Sequence, residues 1–513
     1  MHRILPTLVL MSLSVAANAQ PSVGILMNQS QSQFPTIYLP SVGRLSIPNL
    51  QWSVPDDQGP TLRVERVEFT GNHSISNDRL KEVFAPFVNR ELTPKQIYSL
   101  TDLVKQTYRA SDLAVTAQVP PQDVVDGVIL IEIREARFSG VELDYGFEEQ
   151  FNVDLQRVEA VAQHNISANP PLRISEMERG QLLAIDLHGV AVSGGHHPDD
   201  EGDQVLELWV ENTPRYAGTV AFDNAGNRHT GENQLVLTSL YASPLNRGGA
   251  AYVNASKSEG LDFASIAYRG PVGFSGATVD IQLGLLHAER SVGGDNARSY
   301  SLGYRYPIQR TVAHNLFLTA LVERRELAYP LDTFDLVLDG NHAIFGGRMT
   351  YSSEITLGHN REINHSSDFQ KLSGFIDFTR RYTSGWRYSF KLSGQLASTQ
   401  LDEAEQILVG GPNGVRGYLP GELQADQGAM INLDLAKQIS SNLRLGVFFD
   451  RAKIKPSKNT DQALTISSLG TSSRIQLSEE FALNLSLARA LNNLPGQSTA
   501  GDMRFLSSIS YSF

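Results

Sequence analysis

The sequence predicts an all-β transmembrane barrel of 16 antiparallel strands, preceded by two small α/β modules. Three observations support this prediction. A signal peptide opens the chain, residues 62–212 repeat one order of strands and helices twice, and residues 213–513 show alternating runs of about ten residues separated by turn residues. Such runs are typical of barrel strands, which are apolar towards lipid and polar towards the lumen.

Residues 1–19 have the three parts of a secretory signal peptide. Met1-His2-Arg3 is a short basic start, Ile4 to Val15 is mostly apolar, and Ala17-Asn18-Ala19 is a cleavage site of small residues. The apolar run is too short for a membrane-spanning helix, which disfavours the alternative of an uncleaved anchor. We therefore expect cleavage before Gln20.

Net charge, cysteine content and hydropathy exclude several kinds of partner and site. The chain has 513 residues, a formal net charge of −12 and no cysteine. The negative charge argues against nucleic acid as a partner, and the lack of cysteine excludes disulfides, thiol nucleophiles and cysteine metal sites. No later stretch is apolar over the length of a helical span, so an exported chain of this kind is either soluble or an outer-membrane barrel.

Residues 20–61 form a lead segment that is rich in proline, serine and glutamine. The stretch 23–29 is expected to form a short amphipathic helix that ends before Phe34-Pro35. Beyond it, prolines at positions 40, 48, 55 and 60 exclude regular structure and predict an extended linker.

Residues 62–136 predict the first α/β module, in the order β-α-α-β-β. Alternation of apolar and charged residues predicts a strand, Ser76-Asn77 and Thr93-Pro94 mark the starts of two helices with apolar residues at helical spacing, and two strands follow. The predicted strands are Leu62–Phe69, Ala114–Val119 and Val128–Ile133.

Residues 137–212 repeat that order and predict a second module. Its predicted elements are the strand Phe138–Tyr145, the helices Asp154–Asn165 and Ser175–Leu187, and the strands Val190–Ser193 and Val205–Val210. Two such modules ahead of a barrel suggest a periplasmic arm. The three-stranded sheet of each has an open edge that can accept a strand from a partner, and a spacer without a binding role is the alternative.

Residues 213–513 predict the barrel. The clearest strands are 234–241, 277–287, 298–306, 315–322, 369–378, 387–396, 443–449 and 481–487. Aromatic residues near segment ends, as in Tyr304/Tyr306 and Tyr382/Trp386, suit an interfacial girdle in contact with outer-membrane lipid. Only about fifteen segments stand out, and because bacterial barrels have even strand counts we place the missing strand between Asp332 and Phe369.

The last strand has the cleanest alternation. Met503, Phe505, Ile509, Tyr511 and Phe513 share one face, and serines and Arg504 lie on the other. A soluble sheet edge would expose this apolar face to water, whereas a closing barrel strand needs it. We interpret Tyr511 and Phe513 as a C-terminal assembly signal, with the barrel-assembly machinery as a partner.

A glycine-rich stretch, Gly410 to Tyr418, lies between two predicted strands and is expected to fold into the lumen as part of a loop over residues 400–427. Its glycines permit sharp bends. Arg416 would then need a carboxylate partner, and Asp434 and Asp450 are the candidates. Asp450 is favoured because it shares the polar inner face with Phe448, and a solvated Arg416 at an outer loop tip is the alternative.

The motif Val415-Arg416-Gly417-Tyr418, preceded by Gly410-Gly411-Pro412, resembles the signature loop of two-partner secretion outer-membrane transporters, the TpsB family of ShlB/FhaC/HecB-like haemolysin secretion and activation proteins. Phe448-Phe449-Asp450 is similar to the family's Phe-x-Asp strand motif, whose aspartate pairs with the loop arginine. Residues 107–135 also resemble the family's first polypeptide-transport-associated (POTRA) module, and the resemblance covers the whole mature chain.

The resemblance implies a function. Such a transporter lies in the outer membrane of a Gram-negative bacterium with its POTRA modules in the periplasm. The modules capture an unfolded partner exoprotein, a large β-helical adhesin or haemolysin, and the barrel exports it, driven by folding outside the cell. No cofactor and no enzymatic activity are implied.

This sequence departs from the family pattern at two places. It has Asp112-Leu113 where the family often has Gly-Tyr, and the helix that plugs many family barrels is reduced to at most the stretch 23–33. We therefore expect the loop to be the main element that fills the pore.

The sequence gives little indication of a metal site or of catalysis. The run 196–201, His-His-Pro-Asp-Asp-Glu, is expected in a turn between strands as a solvated loop rather than a metal site, and His359 and His365 are interpreted in the same way. Motifs of serine hydrolases and zinc proteases are missing from the sequence. Two other functions remain open: a barrel-assembly insertase, which shares the loop but usually has more modules, and a passive porin, which needs no modules.

Overall fold

The structure is a computed structural model that describes residues 21–34, 59–146, 150–289, 296–362, 365–459, 462–494 and 497–513. The predicted signal peptide and most of the predicted linker lie outside the described residues. No helix among the described residues is both long and apolar enough to cross a bilayer.

The first module packs two helices on a three-stranded sheet. The central strand β5 pairs in parallel with β2 and antiparallel with β4. The strand predicted over 62–69 is divided at Glu65, whose backbone N–H donates to Gly127 O at 2.8 Å, so that β1 leaves the main sheet and pairs with β3. The elements are β1 Leu62–Val64, β2 Arg66–Thr70, α2 Asn77–Phe84, β3 Arg90–Leu92, α3 Pro94–Ala110, β4 Val115–Gln118 and β5 Val128–Glu135, after the helix α1 Val23–Ser32 of the lead segment.

The second module repeats this arrangement, which confirms the prediction of two small α/β modules. Its sheet has the order β6-β8-β7, with β6 parallel to β8. The elements are β6 Phe138–Asp144, α4 Leu155–His164, α5 Ile174–Ile185, β7 Val190–Pro198 and β8 Gln204–Asn212.

Strand β7 is longer than predicted. His196 and His197 lie within it and pair with Leu206 and Val205 of β8, so their predicted placement in a turn was wrong. The strand continues because the neighbouring β8 supplies ladder partners as far as Pro198, a long-range contact that the polar composition of 196–201 conceals.

The barrel is closed and has 16 antiparallel strands, which confirms the predicted fold class. The interval from Asp332 to Phe369, where a strand was missing, holds most of both β16 and β17. The strands are β9 Tyr216–Asp223, β10 Gln234–Ala242, β11 Ala250–Lys257, β12 Leu261–Pro271, β13 Thr278–Ala288, β14 Asn296–Arg310, β15 His314–Glu326, β16 Pro330–Ile344, β17 Gly347–Glu362, β18 His365–Arg381, β19 Trp386–Ala397, β22 Gln427–Gln438, β23 Leu443–Lys455, β24 Leu464–Gln476, β25 Phe481–Ala490 and β26 Met503–Ser512.

Two further short strands, β20 Ile407–Leu408 and β21 Gln424–Ala425, form a hairpin inside the loop between β19 and β22. Along the barrel strands, large apolar side chains are exposed on the outer face, as lipid contact requires. On β26 the exposed set is the one predicted, from Met503 to Phe513. Strand β26 closes the barrel on β9 through five register pairs, fewer than any other pair of adjacent barrel strands.

The second module is docked on the turns at one end of the barrel, called here the module end. Arg157 Nη2 donates to Gly273 O at 2.8 Å, and Glu178 accepts from the backbone N–H of Val312 at 2.6 Å. The buried guanidinium of Arg310 binds Asp186 through two hydrogen bonds of 2.8 Å. These contacts hold the module against the turns that follow β12 and β14.

Candidate functional site

The loop between β19 and β22 starts at the end of the barrel far from the modules and folds back into the lumen. It contains a short 3-10 helix, Glu403–Glu405, and the hairpin β20–β21. Val415, Tyr418 and Ala425 are buried against the barrel residues Ala452 and Ile466 in one apolar cluster. This cluster holds the loop tip against the wall formed by β23 and β24.

Gly417 lets the tip come close to the wall. A Cβ atom at this position would lie 2.8 Å from Ser468 Cβ, closer than real Cβ atoms approach, and 3.0 Å from the backbone atom Ala490 N. Only glycine fits there without moving the backbone. The neighbouring Arg416 is thereby placed over the inner face of β23.

Arg416 binds two carboxylates. Its Nε and Nη2 atoms donate to Asp450 at 2.9 and 2.7 Å, and its Nη1 atom donates to Asp434 Oδ1 at 2.8 Å. Its backbone N–H also donates to Asp450 Oδ2, at 3.1 Å. The sequence favoured Asp450 over Asp434 as the partner of Arg416, and in the structure the guanidinium contacts both carboxylates. The alternative, a solvated Arg416 at an outer loop tip, does not match this position in the lumen.

The barrel wall around Arg416 is complementary to its positive charge. The ring of Phe448 lies under the guanidinium, with its centroid 3.5 Å from Arg416 Cζ. Asp450 is fully buried and also accepts hydrogen bonds from Asn432 Nδ2 at 2.9 Å and Ser468 Oγ at 3.1 Å. Because a buried carboxylate that loses its cation costs about 3–5 kcal/mol, the pair is a strong fastening for the loop.

Tyr418 fastens the other side of the tip. Its hydroxyl donates to Asn492 O at 2.8 Å and accepts from Asn492 N–H at 3.2 Å, while the ring is buried. Val415, the first residue of the motif, is fully buried in the same cluster. All four motif residues therefore contact the wall or the loop's own core.

A second anchor of the loop was missed by sequence reasoning. Glu405 is buried and binds both Arg325 of β15 and Lys371 of β18. Gln395 Nε2 donates to the backbone carbonyl of Glu405 at 2.9 Å. The signal was the position of Lys371 on the polar face of β18, but the pairing links residues far apart in the chain.

The helix α1 also lies inside the barrel. Met27 and Leu26 are buried against Phe263 of β12 and Leu286 of β13. Asn28 Nδ2 donates to Gln406 O of the loop at 2.9 Å, and Gln31 Nε2 donates to Glu323 Oε1 of β15 at 3.1 Å. The lumen is thus filled by helix and loop together, and a cavity of about 920 Å³ remains between them and the wall.

The aromatic residues at the chain end lie at the barrel seam. Phe513 exchanges two backbone hydrogen bonds of 3.0 Å with Gly218, next to the pairing of β26 with β9. The side chains of Tyr511 and Phe513 face outwards and are exposed. Their role as an assembly signal stays a prediction.

Two family models match the chain. The model described as "POTRA domain, ShlB-type" matches residues 62–136, and the model described as "Haemolysin secretion/activation protein ShlB/FhaC/HecB" matches residues 333–477. The second match includes the loop motif, Asp434 and Asp450.

Curated relatives and solved structures are similar over most of the chain. The heme/hemopexin transporter protein HuxB of Haemophilus influenzae is 22% identical, covering 94% of each chain. The outer membrane transporter CdiB of Escherichia coli O6:K15:H31 is 22% identical, covering 75% of this chain and 70% of CdiB. The structures of CdiB from Escherichia coli and Acinetobacter baumannii match with TM-scores of 0.68 and 0.62 at 19% and 15% identity, each covering 95% of this chain and 96% of the other.

Proposed function

Because the chain belongs to the ShlB/FhaC/HecB family of two-partner secretion transporters of the outer membrane, we propose that it recognises an unfolded partner exoprotein in the periplasm and exports it through its barrel to the cell surface. One observation carries the proposal. The two α/β modules are joined to a closed barrel, and the lumen is filled by α1 and the loop, which are held by side-chain contacts and are not strands of the wall. The module end of the barrel is the periplasmic end in this proposal.

Capture begins at the modules. Each three-stranded sheet has two peripheral strands, β2 and β4 in the first module and β6 and β7 in the second, which pair with the central strand on one side. An extended segment of an unfolded exoprotein can add to such an edge through backbone hydrogen bonds, which select for extended chain rather than for one sequence. The expected exoprotein is a large β-helical adhesin or haemolysin, whose own folding outside the cell pulls the chain outwards.

Export requires the lumen to be emptied. The helix α1 carries no charged residue and is attached to the wall and the loop by the apolar packing of Leu26 and Met27 and by the amide side chains of Asn28 and Gln31. Individual hydrogen bonds of this kind contribute about 1 kcal/mol, so the helix can leave when an incoming chain replaces its contacts. The charged fastenings of the loop at Arg416 and Glu405 are stronger and keep the loop folded on the wall while the helix moves.

The same contacts argue against a passive porin, which needs neither modules nor a filled lumen. The insertase alternative is favoured by one observation, the short seam of five register pairs between β26 and β9, which could open towards lipid. Against it, the seam is extended by Asn224, whose Nδ2 donates to Phe505 O at 2.8 Å and whose Oδ1 accepts from Ser507 N–H at 2.8 Å.

A deletion strain tests the proposal. The gene is deleted in cells that carry a neighbouring gene for a large β-helical exoprotein, and surface exoprotein and folded outer-membrane barrels are measured together. The transporter predicts loss of surface exoprotein with normal barrel assembly, restored by the plasmid-borne gene. Normal exoprotein export with defective barrel assembly would instead support the insertase.

A further inference from the structure

Four arginines line the lumen wall at the module end, on the side of the barrel away from the docked second module. They are Arg381, Arg387, Arg444 and Arg474, and we call them the arginine cluster. Arg381 and Arg387 flank the turn between β18 and β19, Arg444 is the second residue of β23, and Arg474 lies near the end of β24. The second module contacts the turns after β12 and β14, about half of the barrel's circumference away.

Strand alternation places all four side chains on the inner face. Arg381 of β18 is an even number of residues from Lys371, and Arg387 of β19 is an even number of residues from Gln395; both Lys371 and Gln395 bind the lumen loop. Arg444 of β23 and Arg474 of β24 are likewise an even number of residues from Asp450 and Ser468, which meet in the lumen. Since alternate residues of a strand share a face, the cluster points into the lumen.

The cluster differs from several other lumen arginines in having no carboxylate partner. Four lumen arginines form the ion pairs Arg269–Asp280, Arg305–Asp339, Arg325–Glu405 and Arg416–Asp450, and Arg348 binds the amide oxygen of Asn341. Within the described part of the chain, none of the four cluster guanidinium groups makes an ion pair or a hydrogen bond to another side chain.

The four charges also oppose one another. Arg381 faces Arg387 directly across the β18–β19 ladder, and Arg444 faces Arg474 across the β23–β24 ladder. Like charges directly opposite on neighbouring strands are destabilising. Arg444 also lies near Arg387 and Arg381 of the other pair. Between the two pairs, strand β22 presents the uncharged residues Ala436, opposite Arg387, and Gln438, opposite Arg444.

We propose that the arginine cluster binds acidic stretches of the exoprotein as it enters the barrel, which makes it a receiving surface opposite the module that delivers the chain. This rests on the proposed export function. Carboxylate side chains fit because they would supply the partners that the four guanidinium groups lack, and a chain passing between module and wall must run along this side of the mouth. The cluster lies about 20 Å along β23 from the Arg416–Asp450 fastening, at about 3.3 Å per residue, so an arriving segment meets the cluster before it meets the loop.

Binding of an acidic peptide tests this inference. A fluorescein-labelled peptide of glutamate residues is titrated into the purified full-length chain in detergent micelles at low salt, and anisotropy is recorded. Arg444→Gln with Arg474→Gln should weaken binding by about tenfold or more, because the field that attracts the peptide falls with each charge removed. A glutamine peptide of equal length should not bind. The double variant should unfold at the same temperature as the native chain or a higher one, because it relieves like-charge repulsion.

The matched control is Arg380→Gln with Lys437→Gln. These two cations lie near the same end of the barrel but on its outer face, stacked on Tyr382 and Trp386. Their variant should bind the glutamate peptide as the native chain does. Equal affinities for both double variants, or no binding by the native chain, would overturn the inference. Peptide binding needs no export, so a native chain that binds the peptide but secretes nothing would contradict the proposed function alone.

Discussion

Asp112 of the first module caps helix α5 of the second module. Its Oδ1 atom accepts from the backbone N–H of Ser175 at 2.8 Å, and its Oδ2 atom accepts from Ser175 Oγ at 2.5 Å. The helix has no cap of its own, since Arg173 at the N-cap position makes no side-chain cap hydrogen bond. Asp112 occupies the position where the resemblance led us to expect glycine, and its φ of +63° is in the left-handed region that glycine favours. Asp112, which departs from the family pattern, thus links the two modules.

Asp112→Ala should loosen the junction between the modules. The substitution removes the cap and leaves a residue with a Cβ in the left-handed region. We therefore expect the junction to lose about 1–2 kcal/mol of stabilisation. Hydrogen exchange in the full chain should show faster exchange at the first turn of α5. Asp112→Gly removes the same hydrogen bonds without the backbone cost and should have a smaller effect. Unchanged exchange in both variants would show that the cap does not hold the modules together.

Arg416 should be essential for export, and its two carboxylates should differ in importance. Asp450→Asn removes the charge from a fully buried site, whereas Asp434 is partly exposed, with 35% of its side chain accessible. We expect Arg416→Ala and Asp450→Asn to reduce surface exoprotein at least about tenfold, and Asp434→Asn to reduce it less, because exposed ion pairs contribute less. Immunoblots of surface exoprotein, with heat-modifiable gel migration to verify barrel folding, give the comparison. Equal effects of the two aspartate variants would contradict the ranking.

The first module should lose stability in acid through Glu135. Burial opposes ionisation of this carboxyl, but hydrogen bonds from the backbone and hydroxyl of Ser74 and from the Tyr108 hydroxyl outweigh it, so the pKa of Glu135 is lowered. A lowered pKa contributes stability that is present above the pKa of the unfolded chain, near 4.5, and is lost as the pH falls through the folded value.

The variant Glu135→Gln measures this contribution. At neutral pH the native chain should protect the amides around Ser74 from exchange better than the variant does, and the difference should shrink as the pH falls below about 4.5. A difference of the same size at pH 3 and at neutral pH would assign the effect to packing rather than to the charge.

Local patterns were enough to predict the architecture. Period-two alternation with outward apolar residues marked most barrel strands, and the helix starts at Ser76 and Thr93 were visible as capping residues with hydroxyls that accept from the third helical N–H. The inner-face parity of Asp450 followed from the same alternation. These features depend on neighbours in the chain, which a sequence displays.

What the sequence did not show depends on contacts between distant segments. Glu405 is an ordinary acidic loop residue until the loop folds beside Arg325 and Lys371. The end of β7 is strand because β8 pairs with it. The position of α1 in the lumen follows from residues of β12, β13 and the loop, none of which is near it in the chain.

In the proposed export route the exoprotein passes through the lumen that α1 fills at rest, and a reversible disulfide between α1 and the loop tests this route. A Cβ atom on Gly24 of α1 would lie 3.3 Å from Ala404 Cβ of the loop, so a shift of a few tenths of an ångström brings the two into the range of a disulfide, about 3.5–4.5 Å. The chain has no cysteine, so Gly24→Cys with Ala404→Cys introduces a single possible bridge. Under oxidising conditions surface exoprotein should disappear, and a reductant should restore it, while each single variant should secrete normally. Continued export by a fully crosslinked double variant would show that the exoprotein does not need α1 to leave the lumen.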